Sequence, residues 1–229
     1  MNSLGQPIGE ALPNWTPRPL PSGTPLSGRY CRLERLEARH GEQLYAAAAQ
    51  DDASAFTYLF YGPFKDLGEF DEWLRGACAS QDPLYYAIIE SASGTVVGFA
   101  SFLRMEPRVG VIEVGNVYFS RRLRQTPAAT EAMYLMMRYA FVDLGYRRYE
   151  WKCDSLNAPS RKAADRLGFI FEGIFRQAVI YKGRNRDTAW FSVIDKEWPK
   201  VGRALEEWLD PANFDAGRQR KSLAGLRGS

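Results

Sequence analysis

Two stretches of the sequence hold residue types that can grip a phosphorylated ligand and move a proton beside it. The first is a β-branched run, Val111–Phe119, with Gly115 inside it. An arginine-dense turn follows, with Arg121, Arg122 and Arg124, and Gln125-Thr126-Pro127 then opens a helix. Thr126 is a good N-cap and Pro127 fits the first helical position. Ala128, Ala129 and Thr130 then offer N–H groups at a positive helix end, and the alanines let an anion come close. Each charge-assisted bond from Arg122 or Arg124 would contribute about 1.5–3 kcal/mol. A solvated arginine loop capping an ordinary helix would read the same way.

The second stretch is Asp154-Ser155-Leu156-Asn157-Ala158-Pro159-Ser160, one strand further on. Asn157 and Ser160 sit one helical turn apart, as a cap and a first-turn residue or as a pair facing the same cleft. Gly115 has two readings too. It is a packing glycine, or it marks a bulge where the sheet splays. Splaying would free backbone groups of Asn116, Val117 and Phe119 for an extended, amide-rich ligand.

Composition narrows the field. A formal charge of +3 is too small and too evenly spread for a nucleic-acid binder. No apolar run approaches the roughly 20 residues of a membrane span, and no signal peptide is visible. Cys31, Cys78 and Cys153 form no metal-ligand pattern and read as buried thiols of a reducing cytoplasm. With His40 as the single histidine, Ser/His and Cys/His catalysis has no base, and no metal is expected.

The elements that must position these residues follow from periodicity. Residues 1–28 are proline-rich and read as an extended arm, with Trp15 and Leu20 able to pin it. A strand is predicted at Tyr30–Leu36, helices over about 38–50 and 68–80, and a hairpin of Leu84–Ile89 with Val96–Leu103. A helix over 127–144 ends at Gly145, a strand covers Arg148–Cys153, and a short helix over 158–167 ends at Gly168. A second hairpin, Phe169–Tyr181 with Arg186–Ile194, turns across residues 182–185, and a last amphipathic helix spans 196–209. Residues 210–229 read as a basic, disordered tail. The pattern predicts one α/β domain over 29–209, a central mixed and mostly antiparallel sheet with helices on both faces.

From Arg29 to Leu209 the chain resembles the GNAT acyltransferase superfamily, RimJ/RimL-type branch. The resemblance rests on Ile112-Glu113-Val114-Gly115, on Arg124-Gln125-Thr126-Pro127-Ala128-Ala129-Thr130, and on Asn157-Ala158-Pro159-Ser160 with Leu167-Gly168-Phe169. Pro127 stands where that family carries Gly, which removes one amide donor. The resemblance implies a three-layer GNAT fold and N-acyl transfer from an acyl-CoA, acetyl-CoA or succinyl-CoA, to an amine acceptor. It assigns acyl-CoA binding to Val117, Phe119, Arg122, Arg124, Gln125, Thr126, Ala128, Ala129, Thr130, Asn157 and Ser160. Val117 N–H would polarise the thioester carbonyl, Asn157 would orient the pantetheine arm, and Ser160 would protonate the leaving thiolate. A silent acyl-CoA sensor is the reading from another class.

The base stays open among Glu113, Glu150 and Glu172, with Glu113 first because it lies two residues before Gly115. Phe60 and Tyr61, in the aromatic stretch 56–64, either wall the acceptor pocket or belong to the core. Arg176, Lys182, Arg184 and Arg186 suggest an acidic group on the acceptor or on the acyl chain. The arm and the apolar face of the last helix (Trp198, Leu205, Leu209) lead us to expect a homodimer.

Overall fold

The computed structural model describes residues 1–215 and 217–228; residues 216 and 229, both within the stretch read as a tail, lie outside the described residues. Eight strands form one sheet: β1 (Leu26–Ser27), β2 (Cys31–Arg35), β3 (Leu84–Glu90), β4 (Val96–Glu106), β5 (Val111–Phe119), β6 (Arg148–Asp154), β7 (Ile170–Tyr181) and β8 (Arg184–Ile194). Their order is β1-β2-β3-β4-β5-β6-β8-β7, and among the described residues β5–β6 is the one parallel neighbour pair. The mixed, mostly antiparallel sheet agrees with the sequence reading.

β3 shows how a continuous apolar run serves both faces. Leu84, Tyr86 and Ile88 join the larger core, whereas Tyr85, Ala87 and Ile89 join the smaller one. This is the period of two expected of a strand covered on both sides. The smaller core is closed by α1 (Gly41–Gln50) and α2 (Leu67–Ala79). The larger one is closed by α3 (Pro127–Arg138), α4 (Ala158–Leu167) and α5 (Trp198–Leu209). After Arg138 the helix widens into a π turn over Tyr139–Asp143, and Gly145, at φ +71°, ends the run as predicted.

α3 also fixes the start of the sheet. The buried Glu131 carboxylate accepts hydrogen bonds from the backbone N–H groups of Arg29 (2.8 Å), Tyr30 (2.6 Å) and Cys31 (2.7 Å). Gly28 permits this approach, since a Cβ there would lie 2.4 Å from the carboxylate carbon.

Four expectations need correction. The segment after residue 210 is not a loose tail. It forms a turn, the strand pair β9 (Phe214–Asp215) and β10 (Arg218–Gln219), and α6 (Leu223–Gly228). Leu223 and Leu226 are buried in the larger core, and that apolar burial outweighs the basic composition. The apolar face of α5 is likewise not free: Leu205 and Leu209 are buried in their own chain, and Trp198 stacks on Phe141 at 5.1 Å. That removes the last-helix argument for a homodimer. In the arm, Trp15 is the pin, donating Nε1–H to Arg108 O at 2.7 Å, while Leu20 stays exposed.

The second hairpin turns on two residues rather than four. Lys182 (φ +48°) and Gly183 (φ +71°) both take the left-handed region, which matches the twist of the flanking strands. β7 is an edge strand whose Ile170, Phe171, Ile174, Phe175 and Ile180 are exposed. Among the described residues, no helix is long and apolar enough to cross a membrane.

Candidate functional site

The site is a gap in the sheet. β5 and β6 pair from Val111/Arg148 to Val114/Trp151 and then part. On its other edge β5 stays with β4, but the register slips between Phe99/Tyr118 and Ser101/Gly115. One extra residue on β5 makes this bulge, and Asn116, at φ +50°, carries the strained backbone. Gly115 does not: a Cβ there would press on the Leu103 side chain at 3.0 Å, so its role is packing.

The bulge reverses the facing of the strand. Ile112 and Val114 enter the larger core, yet Tyr118 enters the smaller one. Ser120 N–H donates to Val97 O on the β4 side. Alternation then turns the backbone groups of Phe119 and Val117 away from β4 and into the gap. Arg124 confirms the direction for Phe119, donating Nε–H to its carbonyl at 2.7 Å.

The helix start beyond the gap offers fewer donors than the sequence suggested. Thr126 caps α3 and its hydroxyl already accepts Ala129 N–H at 3.3 Å. Thr130 N–H falls within the intrahelical ladder, and its hydroxyl accepts from Arg166 at 3.0 Å. Among the described residues, Ala128 N–H and Gln125 N–H carry no partner, and Gln125 takes the left-handed conformation at φ +61°. Arg124 also binds Asp51 at 2.9 Å, and Arg122 pairs with Glu90 at the end of β3. Both predicted phosphate ligands are therefore held by their own chain, with Arg124 the one tied to the gap.

On the β6 side, Asp154 is a buried hub that sequence reasoning missed. Its carboxylate accepts Leu156 N–H (2.8 Å) and the Tyr181 hydroxyl (2.9 Å), and its carbonyl accepts Asn157 N–H (2.9 Å). The Asp-Ser-Leu-Asn spacing of an Asx turn was the signal for it. Asn157 caps α4, accepting Ser160 N–H at 3.1 Å, as its plainer reading held. The Ser160 hydroxyl accepts Trp151 Nε1–H at 2.9 Å, which fixes its oxygen and leaves its own hydrogen to donate. Beside it the Cys153 thiol is pushed up by burial, so it is a poor nucleophile.

The three carboxylates considered as bases lie in one chain of alternating charge. Arg104 binds Glu113 (2.7 Å), Lys152 joins Glu113 (2.9 Å) to Glu150 (2.7 Å), and Arg148 joins Glu150 (2.6 Å) to Glu172 (2.8 Å). Strand alternation puts Glu113, Glu150 and Lys152 on the face opposite Trp151 and Cys153. Burial pushes Glu113 up, against the pull of Lys152 and Arg104. Its Oε1 lies 3.6 Å from the point a Gly115 Cβ would occupy, so it leans toward the gap.

Glu172 behaves oppositely: hydrogen bonds from Arg148 and then Ser192 hold it down to about 2, from 4.5. A carboxylate depressed on folding stabilises above its unfolded value and loses that contribution as pH falls through the folded one. Chemical denaturation between about pH 6 and pH 2.5 should thus show a steeper loss of stability for the native protein than for Glu172→Gln. Equal slopes would mean that this pair adds nothing.

The aromatic stretch divides between core and wall. Tyr61 is in the smaller core, packed on Trp73 at 4.9 Å, while Phe60 is half exposed and faces Tyr181 at 5.5 Å. Lys182 clamps this loop to the β7–β8 turn. Its ammonium donates to the carbonyls of Gly62 (2.6 Å), Phe56 (2.7 Å) and Tyr61 (3.3 Å). His40 is structural: buried beside α1, it accepts Glu37 N–H at 3.0 Å.

Comparison with known proteins bears on this geometry. The acetyltransferase (GNAT) domain family matches residues 31–170. A solved GCN5-related N-acetyltransferase from Brucella melitensis is 52% identical, with a TM-score of 0.94 over 95% of this chain and 100% of that one. An uncharacterized N-acetyltransferase, p20, from Bacillus licheniformis is 30% identical over 64% of this chain and 84% of its own length. At 19% identity, the microcin C7 self-immunity acetyltransferase MccE, solved with acetyl-CoA and AMP, shares the fold with a TM-score of 0.64 over 73% of this chain and 93% of its own.

Proposed function

Since the chain belongs to the GNAT acetyltransferase family and is an N-acetyltransferase of that type, we propose that it transfers acetyl from acetyl-CoA to a primary amine by direct attack in a ternary complex. One observation carries the reading. The parting of β5 and β6 after Val114/Trp151, with Val117 and Phe119 turned into the gap, leaves a strand edge that an amide-rich pantetheine arm can join. Gln125 N–H, Ala128 N–H and Arg124 would receive the pyrophosphate at the α3 start.

The remaining steps are assigned to residues of β5 and of the start of α4. Val117 N–H would polarise the thioester carbonyl, where charge develops during attack. Glu113 would draw the proton from the amine through water, and Ser160 would give one to the leaving thiolate. Asn157, already spent on its cap through Oδ1, keeps its NH₂ group for the pantetheine end. The layout Asn157-x-x-Ser160 with Leu167-Gly168-Phe169 supports the RimJ/RimL-type branch. Cys31, Cys78 and Cys153 are free thiols, which supports a cytoplasmic setting.

Thiol release from acetyl-CoA against an amine panel tests the proposal. Intersecting initial-rate lines are expected, and parallel lines would point to a covalent acyl-enzyme instead. Arg124→Ala should weaken CoA binding in calorimetry by about 1.5–3 kcal/mol, the range for a charged hydrogen bond. Arg122→Ala should cost less, because its guanidinium pairs with Glu90 at the end of β3, whereas that of Arg124 is tied to the gap through the Phe119 carbonyl. Unchanged affinity in Arg124→Ala would move the pyrophosphate elsewhere.

A further inference from the structure

Three consecutive inward residues of β8 carry buried donors with nothing to bond. They are Arg186 (Nε), Thr188 (Oγ1) and Trp190 (Nε1), and none of these atoms has a hydrogen-bond partner among the described residues. Their spacing of two places them in one row. Their neighbours Ala189 and Phe191 point into the larger core, so the row faces the opposite side, with Lys152 and Asp154 as cross-strand partners of Trp190 and Thr188. That is the face of the sheet on which Glu113 lies.

Arg186 is the decisive member. It is only 8% exposed, and among the described residues no carboxylate comes within ion-pair distance of it. Asp154 attracts it across this face but does not touch it, and is held instead by Leu156 N–H and the Tyr181 hydroxyl. The guanidinium instead lies 5.4 Å from the Phe60 ring centre and 5.9 Å from that of Tyr181. Of the other cations near the hairpin, Lys182 is consumed by the loop carbonyls, and Arg176 and Arg184 are exposed. Burial works against the Arg186 charge, and Asp154 and Glu113 offset it only from beyond contact distance. A buried cation that touches no carboxylate is costly to fold around unless a ligand supplies one.

We infer that the row Arg186–Thr188–Trp190 receives a carboxylate carried by one of the two substrates, beside the point of acyl transfer. Arg186 supplies the charge and a planar fork, Thr188 and Trp190 add single donors, and Phe60 and Tyr181 exclude water. The carboxylate can sit on the acceptor, making it an amino-acid-like amine. It can equally end the acyl chain, making the donor a dicarboxylic acyl-CoA such as succinyl-CoA. The inference deepens the proposed amine acylation and rests on it.

The test compares matched pairs on the full-length protein. One set is an amino acid against its carboxamide with acetyl-CoA, and the other is succinyl-CoA against butyryl-CoA with a neutral amine. In one of them kcat/KM should favour the carboxylated member by at least about tenfold, since a site built to bond a group rejects the analogue lacking it. Arg186→Gln should abolish that preference while changing the uncharged member little, and Thr188→Val should reduce it in part. The melting temperature of Arg186→Gln should not fall, because no partner is left unpaired. The set that shows the preference names the substrate bearing the carboxylate. Calorimetry with an N-acetyl amino acid against its amide, and with succinyl-CoA against butyryl-CoA, reads the same preference without turnover. If no amine is acylated, the proposed reaction fails while these titrations still decide the carboxylate. Equal binding of both members in both titrations, or an equal loss on both in Arg186→Gln, overturns the inference.

Discussion

Ser160→Ala is expected to lower kcat by about 10²–10⁴-fold, the range for a positioned proton donor. CoA affinity should stay near that of the native protein, because the hydroxyl acts on the departing sulfur rather than on the bound cosubstrate. The hydroxyl accepts Trp151 Nε1–H, so the substitution also leaves an indole N–H without a partner, at a cost of about 1–3 kcal/mol. A control separates the two effects. Trp151→Phe removes the indole donor but keeps the Ser160 hydroxyl, so it should disturb stability and leave most of the turnover. If Ser160→Ala keeps full turnover with a good acceptor, the proton comes from water and Ser160 is only a first-turn residue of α4.

Glu113 should show the second large effect. Glu113→Ala leaves Arg104 unpaired and Lys152 with Glu150 alone. Removing one partner of a buried ion pair costs about 3–5 kcal/mol, and the low end is expected because Glu150 remains. The sign of the pH dependence follows from the burial of this carboxylate, which raises it on folding. Such a group is less costly to the fold when protonated, so its contribution falls as pH rises from the unfolded value of 4.5 through the folded one. Glu172 acts in the opposite sense. As the proposed base, Glu113 should also govern the acidic limb of the kcat/KM profile, and Glu113→Gln should lose that limb along with about 10²-fold or more in rate. A profile of unchanged shape in Glu113→Gln would reduce the residue to a structural ion-pair partner.

Much of this arrangement was legible in the sequence because it is local. Alternation marks β2, apolar runs on either side of a turn mark β3 and β4, Thr126-Pro127 marks the start of α3, and Gly145 and Gly168 mark two helix ends. The splay at the Gly115 region was legible too, although the strain sits one residue later, on Asn116. A glycine in a strand attracts that reading by its type, whereas only the register with β4 shows which residue is extra. The tail was misread because composition averages over the few residues that matter: Leu223 and Leu226 sit three apart among Gly, Arg and Lys, and that spacing suffices to bury them. Whether a donor is paired is a tertiary fact. Nothing in Arg186-Asp187-Thr188-Ala189-Trp190 says that its three donors have no partner, nor that Lys182 is spent on a loop some 120 residues away. For the same reason Arg122 looked equivalent to Arg124, and the bond from Arg124 to the Phe119 carbonyl separates them.

The bonds from Glu131 to the backbone of Arg29–Cys31 constrain the order in which the chain can fold. These partners are 100 to 102 positions apart. The amides at the entrance to β2 are synthesised long before the carboxylate that satisfies them. β2 can pair with β3 in the meantime, since Leu33 and Ile88 meet across a loop about half as long, whose residues all precede α3. Its first residues, however, stay solvated until α3 forms and docks. Closing so long a loop is entropically unfavourable, and the contact gains stability only once the helix is already in place. The amino-terminal border of the sheet is therefore completed late, by the same helix whose first turn faces the gap.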